Sequence, residues 1–185
     1  MKFKKKGGEE KMPEMKQPEI WYPIFEPTSG DIRSRLAGLE NSLIQRAIAK
    51  GIIRDPSEAK VRPLTAQDLD STKPSEAFSH SFSDANTWEK YVDAKTVGDM
   101  VITIVGLANL SASPKLLDVR FGVGTPVRSK FQTGLLTPMY VQEEKKVLFT
   151  KDVEYDKGDK VTIEVLGSAT GTEDFALLGL VCEKA

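Results

Sequence analysis

The hydrophobic residues of this chain follow two different periods, one on each side of a proline-punctuated middle. Ile32, Leu36, Leu39, Leu43, Ala47 and Ile48 recur at spacings of three and four, the stripe of an amphipathic helix. Ser29 is placed to cap its start, Asp31 puts negative charge in the first turn, and Gly51 stands where a left-handed residue ends a helix. The spacing predicts a helix over roughly residues 30–50. From Ala77 onward the period falls to two. Ala77-Phe78-Ser79-His80-Ser81-Phe82 alternates like a half-buried strand, and further strands are predicted over 100–107, 116–123, 138–142, 147–153, 160–166 and 175–182. Ser111-Ala112-Ser113-Pro114, Gly124-Thr125-Pro126, Asp156-Lys157-Gly158-Asp159 and Ser168-Ala169-Thr170-Gly171-Thr172 supply the turns between them. Many short strands at this spacing predict a mainly β protein, an antiparallel β-sandwich or barrel. Val161, Ile163 and Val165 are expected to face its core, with Thr162 and Glu164 outward. The final strand is apolar on both faces, Phe175, Leu177 and Val181 on one and Leu178, Leu180 and Cys182 on the other. Such a strand lies between two layers of its own protein or is covered by another chain.

Four segments follow: an extended arm over 1–28, an amphipathic helix over 29–51, an irregular connector over 52–76 and the β-sandwich over 77–185. Pro13, Pro18, Pro23 and Pro27 keep helix out of the arm, and its first nineteen positions are too polar to fold alone. The arm ends in Ile20-Trp21-Tyr22-Pro23-Ile24-Phe25, five large apolar or aromatic residues in six. Ile20, Trp21, Tyr22, Ile24 and Phe25 form an anchor that can pack on its own domain or dock on a neighbouring subunit. The helix offers the same choice. Its stripe can pack on the β domain, or Ile32, Leu36, Leu39 and Leu43, close to an a/d seam, can pair with copies of themselves. Pro56, Pro63 and Pro74 punctuate the connector, where Thr65-Ala66-Gln67-Asp68-Leu69 is predicted as one short capped turn of helix.

Charge narrows the partners. With 26 Lys and Arg against 27 Asp and Glu the formal net charge is −1, which creates no global field for nucleic acid or an anionic membrane. The first nineteen residues carry six lysines but four glutamates, a poor arrangement for counterion release from a nucleic acid. Protein subunits are the expected partners. No run approaches the ~20 apolar residues of a membrane span. The start, Met1-Lys2-Phe3-Lys4-Lys5-Lys6, leads into Gly7-Gly8-Glu9-Glu10 rather than an apolar run, so a conventional export signal is not expected.

Candidate chemistry is sparse, and no enzyme activity, cofactor or metal is expected. Cys182, beside Leu180 and Val181, reads as a buried, inert thiol. His80 is the single histidine. Ser79 and Ser81 would point to the opposite face of its strand, so neither can be its nucleophile partner. His80 is also read as out of phase with Phe78 and Phe82, hence a surface residue. Zinc lacks ligands here. Asp156 with Asp159, and Glu173 with Asp174, lack the alternating oxygens of a calcium loop and read as solvated turn charges. Gly122-Val123-Gly124-Thr125-Pro126 lacks the third glycine and the following helix of a phosphate loop. Glu9-Glu10 and Glu143-Glu144 are exposed pairs without the burial that general-acid chemistry needs. Trp88 and Tyr91, three residues apart, form a possible ligand platform of the carbohydrate-binding kind, or else plug one end of the sandwich.

The layout as a whole resembles virion structural proteins with a jelly-roll domain. A charged arm and a short helix precede a β-sandwich. Within it Val147-Leu148-Phe149-Thr150 is followed by Tyr155-Asp156-Lys157-Gly158-Asp159-Lys160-Val161-Thr162-Ile163-Glu164-Val165, a strand leading through a Lys-Gly-Asp turn into an alternating strand. The resemblance covers residues 77–185 in pattern, and no diagnostic residue carries over. It implies a structural subunit located in the virion, of minor capsid, cement or vertex type, contacting other capsid-type proteins or copies of itself; the alternative location is a cytoplasmic assembly. The near-neutral arm departs from the strongly basic arms of subunits that package a genome. The competing expectation is a carbohydrate- or receptor-binding sandwich of a fibre or cell-surface assembly.

Overall fold

The computed structural model describes residues 23–74, 78–124 and 128–185. Ten strands and two α-helices occur among them, in the order β1 (Ile24–Phe25), α1 (Ser29–Ala49), β2 (Ala59–Pro63), α2 (Ala66–Leu69), β3 (Phe78–Phe82), β4 (Trp88–Thr96), β5 (Met100–Asn109), β6 (Leu116–Val123), β7 (Arg128–Gln132), β8 (Lys146–Tyr155), β9 (Lys160–Gly167) and β10 (Gly171–Lys184). They form two antiparallel sheets. The first is ordered β1-β8-β5-β10-β2, with β3 also paired to β10, and the second is ordered β4-β9-β6-β7. Leaving aside β1 and β2, the orders β3-β10-β5-β8 and β4-β9-β6-β7 are those of a jelly roll, in which every connection from β3 onward except β6–β7 crosses between sheets.

The Lys-Gly-Asp turn is one such crossing. β8 pairs with β5 in the six-stranded sheet and β9 with β4 and β6 in the other, so Asp156–Asp159 forms a corner and not a hairpin. Gly158 supplies the positive φ of 86° that the corner requires. The core between the sheets follows the predicted alternation: Val161, Ile163, Val165, Val119, Phe121, Ile102, Ile104, Leu107, Phe175, Leu177 and Val181 all point into it. Phe121, Phe131 and Phe149 fill one part of it, with ring centroids 5.0–5.7 Å apart.

The helix begins one residue earlier than expected. Thr28, not Ser29, is the cap, because Asp31 lies three positions after it. The Asp31 N–H donates to Thr28 Oγ1 at 3.1 Å, and the Asp31 carboxylate accepts from the Thr28 N–H at 2.8 Å, closing a capping box. Gly51, at φ 67°, ends the helix as predicted. Leu43 and Ala47 are buried on the outer face of the six-stranded sheet with Ile52, Ile53, Val101 and Cys182, and Leu39, Ile44, Ile48 and Leu180 close the cluster. This explains the doubly apolar last strand. Phe175, Leu177 and Val181 face the other sheet, while Leu180 and Cys182 lie under the chain's own helix.

Several expectations fail for stated reasons. Part of the supposed irregular connector is strand β2, which pairs with β10 from Ala59↔Lys184 to Pro63↔Leu180. Its prolines did not prevent this, because Pro63 closes an edge strand where a missing N–H costs little. Residues 138–142, predicted as a strand, lie mainly in a 3-10 turn over Thr137–Val141, with Pro138 in its first positions. β4 and β7 were not expected. β4 carries register shifts and an Ala94 φ of 49° that disturb its alternation. Thr162 points outward yet is buried, its hydroxyl accepting the Ala94 N–H at 3.2 Å beneath that irregularity. Irregularities also occur in β5 and β10 at Gly106 and Gly179. There a Cβ would stand 2.3 Å from the Val147 carbonyl oxygen and 2.4 Å from that of Thr103.

Candidate interaction surfaces

The arm anchor divides. Phe25 packs against the core of its own domain and pairs with Val147, so its expected role as a partner contact is corrected to an intramolecular one. Ile24, opposite Leu148, is 52% exposed. Ile20, Trp21 and Tyr22 lie outside the described residues. The helix divides too. Leu43 is fully buried and Leu39 packs beside it on the sheet, which removes both from any seam between copies. Ile32 and Leu36, nearer the start, are half-buried.

Charged groups fix the helix at its other end. Arg46 donates to Thr103 Oγ1 at 2.7 Å, to the Tyr155 carbonyl at 3.1 Å and to Asp156 Oδ1 at 2.8 Å, and Lys50 Nζ lies 2.9 Å from Asp156 Oδ2. Burial opposes ionisation of Asp156, but these two cations outweigh it and hold the carboxyl below its ordinary value. Asp156, expected to be a solvated turn charge, is thus the joint between helix and corner. Cys182 is buried as expected, and burial pushes its thiol up.

Carboxylates organise the loops at the opposite end of the sandwich. Glu173, also expected to be a solvated turn charge, is fully buried. It sits in β10, and its carboxylate accepts from the N–H groups of Lys115 at 3.0 Å and Leu116 at 3.2 Å and from the Asn109 side-chain amide. Tyr140 donates its hydroxyl to the Leu116 carbonyl, locking the 3-10 turn onto the same loop. Above this braced base stand three exposed large apolar side chains: Leu110 at 61%, Leu135 at 64% and Val141 at 88%. Leu110 follows β5; Leu135 and Val141 lie between β7 and β8, so all three crown one end. A shallow groove of about 560 Å³ lies beside Leu110, between residues 108–112 and 143–146. Lys146 pairs with Glu144 there, and Lys145 donates to the Ser111 carbonyl at 3.2 Å.

His80 is not a surface residue. Positions 78, 80 and 82 of one strand share a face, so it lies with Phe78 and Phe82, its side chain 11% exposed. Its ring meets Phe82 edge-on at 4.8 Å, and Nε2 lies 2.9 Å from Glu89 Oε2. Glu89 also accepts from the N–H groups of Ser83 and Asp84, at 2.8 and 2.9 Å. The Asp84 N–H, working against desolvation and aided by His80 and Ser83, pulls the Glu89 carboxyl down to about 2.

Trp88 and Tyr91 do not form a joint platform. Their spacing of three puts them on opposite faces of β4. Tyr91 points inward, 2% exposed, with its ring centroid 5.1 Å from that of Phe175. Its hydroxyl has no hydrogen-bond partner among the described residues, and burial, with the Asp70 charge adding to it, pushes its ionisation far up. Trp88 points outward from the four-stranded sheet, opposite Leu166. The Arg120 guanidinium lies over its indole, 3.8 Å from the ring centroid. Arg120 was not singled out in the sequence. Its outward position was nonetheless legible, since Val119 and Phe121 on either side of it belong in the core.

Among the described residues, no group of three or more His, Cys, Asp or Glu could hold a metal, and no helix is long and apolar enough to cross a membrane. No family model, curated protein or solved structure matches this chain.

Proposed function

We propose that this chain is a non-enzymatic structural subunit of a larger assembly, of the minor capsid, cement or vertex kind found in virions, that holds neighbouring subunits together. The observation carrying this reading is the apolar crown of Leu110, Leu135 and Val141. Exposed apolar side chains on slack loops are commonplace. These stand on loops braced by a buried carboxylate and a tyrosine hydroxyl, so little ordering would be needed when a partner covers them. The jelly-roll order adds support by analogy of fold alone.

The arm supplies the second contact. Phe25 roots it at the β8 edge, leaving Ile20, Trp21 and Tyr22 as the segment that reaches a neighbour. A tether of this kind raises the effective concentration of the crown's own contact. Burying each large apolar side chain contributes about 1.5–3 kcal/mol. The test is solution mass by light scattering, for the full chain, for a Trp21→Ala/Tyr22→Ala variant and for a Leu110→Asp/Val141→Asp variant. Oligomers that dissociate in both variants, with melting unchanged, support the proposal. A monomer at every concentration that also fails to join any larger particle overturns it.

A further inference from the structure

The outer face of the four-stranded sheet carries an arginine in no direct ion pair among the described residues, its charge acting only at longer range on the buried Asp118 carboxyl. Arg120 lies at the middle of β6, flanked across the ladder by Glu164 of β9 on one side and Gln132 of β7 on the other. Its Nε donates to Gln132 Oε1 at 2.9 Å, and its guanidinium carbon lies over the Trp88 ring, 3.8 Å from the centroid. Gln132 is fixed in turn, its amide donating to Asp118 Oδ2 at 2.6 Å. Asp118 is buried and also accepts from Thr133 Oγ1 at 2.5 Å and from the Val119 N–H at 2.7 Å. Stacking and the Nε bond therefore set the orientation of the fork. No carboxylate among the described residues lies within ion-pairing distance of it, although Glu164 is its ladder neighbour. Elsewhere in the molecule Arg46 and Arg62 each meet two carboxylates.

An arginine stacked on an indole, with its terminal amino groups uncommitted, suits bidentate recognition of a carboxylate. The surroundings select what bears that carboxylate. The face is an open sheet surface, which suits an extended chain. On the same face Glu164 offers acceptors for hydroxyl groups, Lys90 being ion-paired to Asp93 and Gln132 bonded to Arg120 and Asp118, and Leu166 is the one large apolar neighbour on β9. Sugar hydroxyls pair with polar side chains of this kind. We infer that Arg120, held over Trp88, forms the centre of a binding site for a carboxylated oligosaccharide, with Arg120 taking the carboxylate and Trp88 holding Arg120 in place.

The test is calorimetric titration of the full chain with an oligogalacturonate, its methyl ester and an oligoglutamate of equal length, on wild type and on Arg120→Lys and Trp88→Ala variants. Thermal melting of each variant is measured in parallel. The expected result is saturable binding of the oligogalacturonate that weakens at least tenfold on esterification. Arg120→Lys, which keeps the charge but loses the fork, and Trp88→Ala should each weaken it at least tenfold. Absence of saturable binding by wild type, or binding unchanged in folded Arg120→Lys, overturns the inference. Oligoglutamate binding as tightly as the sugar acid also overturns it, since the site would then read charge alone. Should Arg120→Lys fail to fold, the free-acid and ester titrations of wild type decide.

Discussion

The two sheets are finished on the outside in opposite ways. The six-stranded sheet turns an apolar surface outward, with Val101, Leu180 and Cys182 roofed by α1. The four-stranded sheet turns out Trp88, Arg120, Gln132 and Glu164 and meets water directly. One face is committed to its own chain, and the other presents polar side chains and an indole. The means of attachment differ as well. The roof is held by close packing and by ion pairs from Arg35 to Asp152 and from Arg46 and Lys50 to Asp156, whereas carboxylates accepting backbone N–H groups secure the connections into the four-stranded sheet. Burial therefore measures commitment to the fold, and polar sequence on a strand measures what remains available.

Substitutions on the roofed side should cost the most. Leu43→Ala removes a fully buried side chain between helix and sheet, and about 2–5 kcal/mol of stability should be lost in urea melts. A loss below about 1 kcal/mol would mean that the roof lifts easily. Arg46→Ala should follow at about 1–3 kcal/mol, because Asp156 and the Tyr155 carbonyl lose a charged donor. Its deficit should shrink in high salt, which a purely steric change would not do. Thr28→Ala removes the cap and should cost about 1 kcal/mol, read as earlier fraying of α1 in hydrogen exchange.

The polar side answers to pH. The Glu89 carboxyl sits at about 2 when folded, against an ordinary value of 4.5. Its depressed value means that the stabilisation is fully present above about pH 4.5 and is lost as pH falls toward 2. Asp118 runs the other way, because burial raises its carboxyl, so protonation favours its folded form. Glu89→Gln should therefore make the acid limb of the stability profile shallower without abolishing it, because Asp68, Asp156 and Glu183 are also held below their ordinary values. An unchanged acid limb would show that the β3–β4 turn does not depend on this carboxylate. The smallest effect is expected at Arg120→Lys, where an outward cation–π contact contributes about 0.5–1 kcal/mol.

Regular alternation made much of this legible in the sequence. Val161, Ile163 and Val165 fixed the face of β9, and the three-four spacing fixed α1, because one buried side per element leaves a periodic trace. Where the backbone departs from its period the trace disappears. β4 puts Trp88 outward, next to the largely buried Glu89, and buries Tyr91 and Val92 in succession, so Trp88-Glu89-Lys90-Tyr91 shows no strand pattern. Glu173 and Asp156 looked like solvated turn residues because nothing local reveals a partner sixty or a hundred positions away. The choice for α1 between its own sheet and a copy of itself was equally invisible, since the same stripe serves both. Trp88 was found for its aromatic ring, but Arg120, which decides what that ring can do, is a long-range neighbour.

The last strand in the chain is also the middle of the larger sheet. β10 holds β5 on one side and β2 and β3 on the other, and with β5 it forms most of the surface on which α1 rests. On a ribosome, the helix leaves the exit tunnel long before its resting place exists. Its stripe of Leu39, Leu43, Ala47 and Ile48 must wait, wet and adhesive, while more than a hundred further residues are made. Contacts this distant along the chain close slowly. A nascent copy is therefore vulnerable until β10 has been made, and a ribosome stalling before Gly171 would release a polypeptide with a finished helix and no sheet centre to receive it.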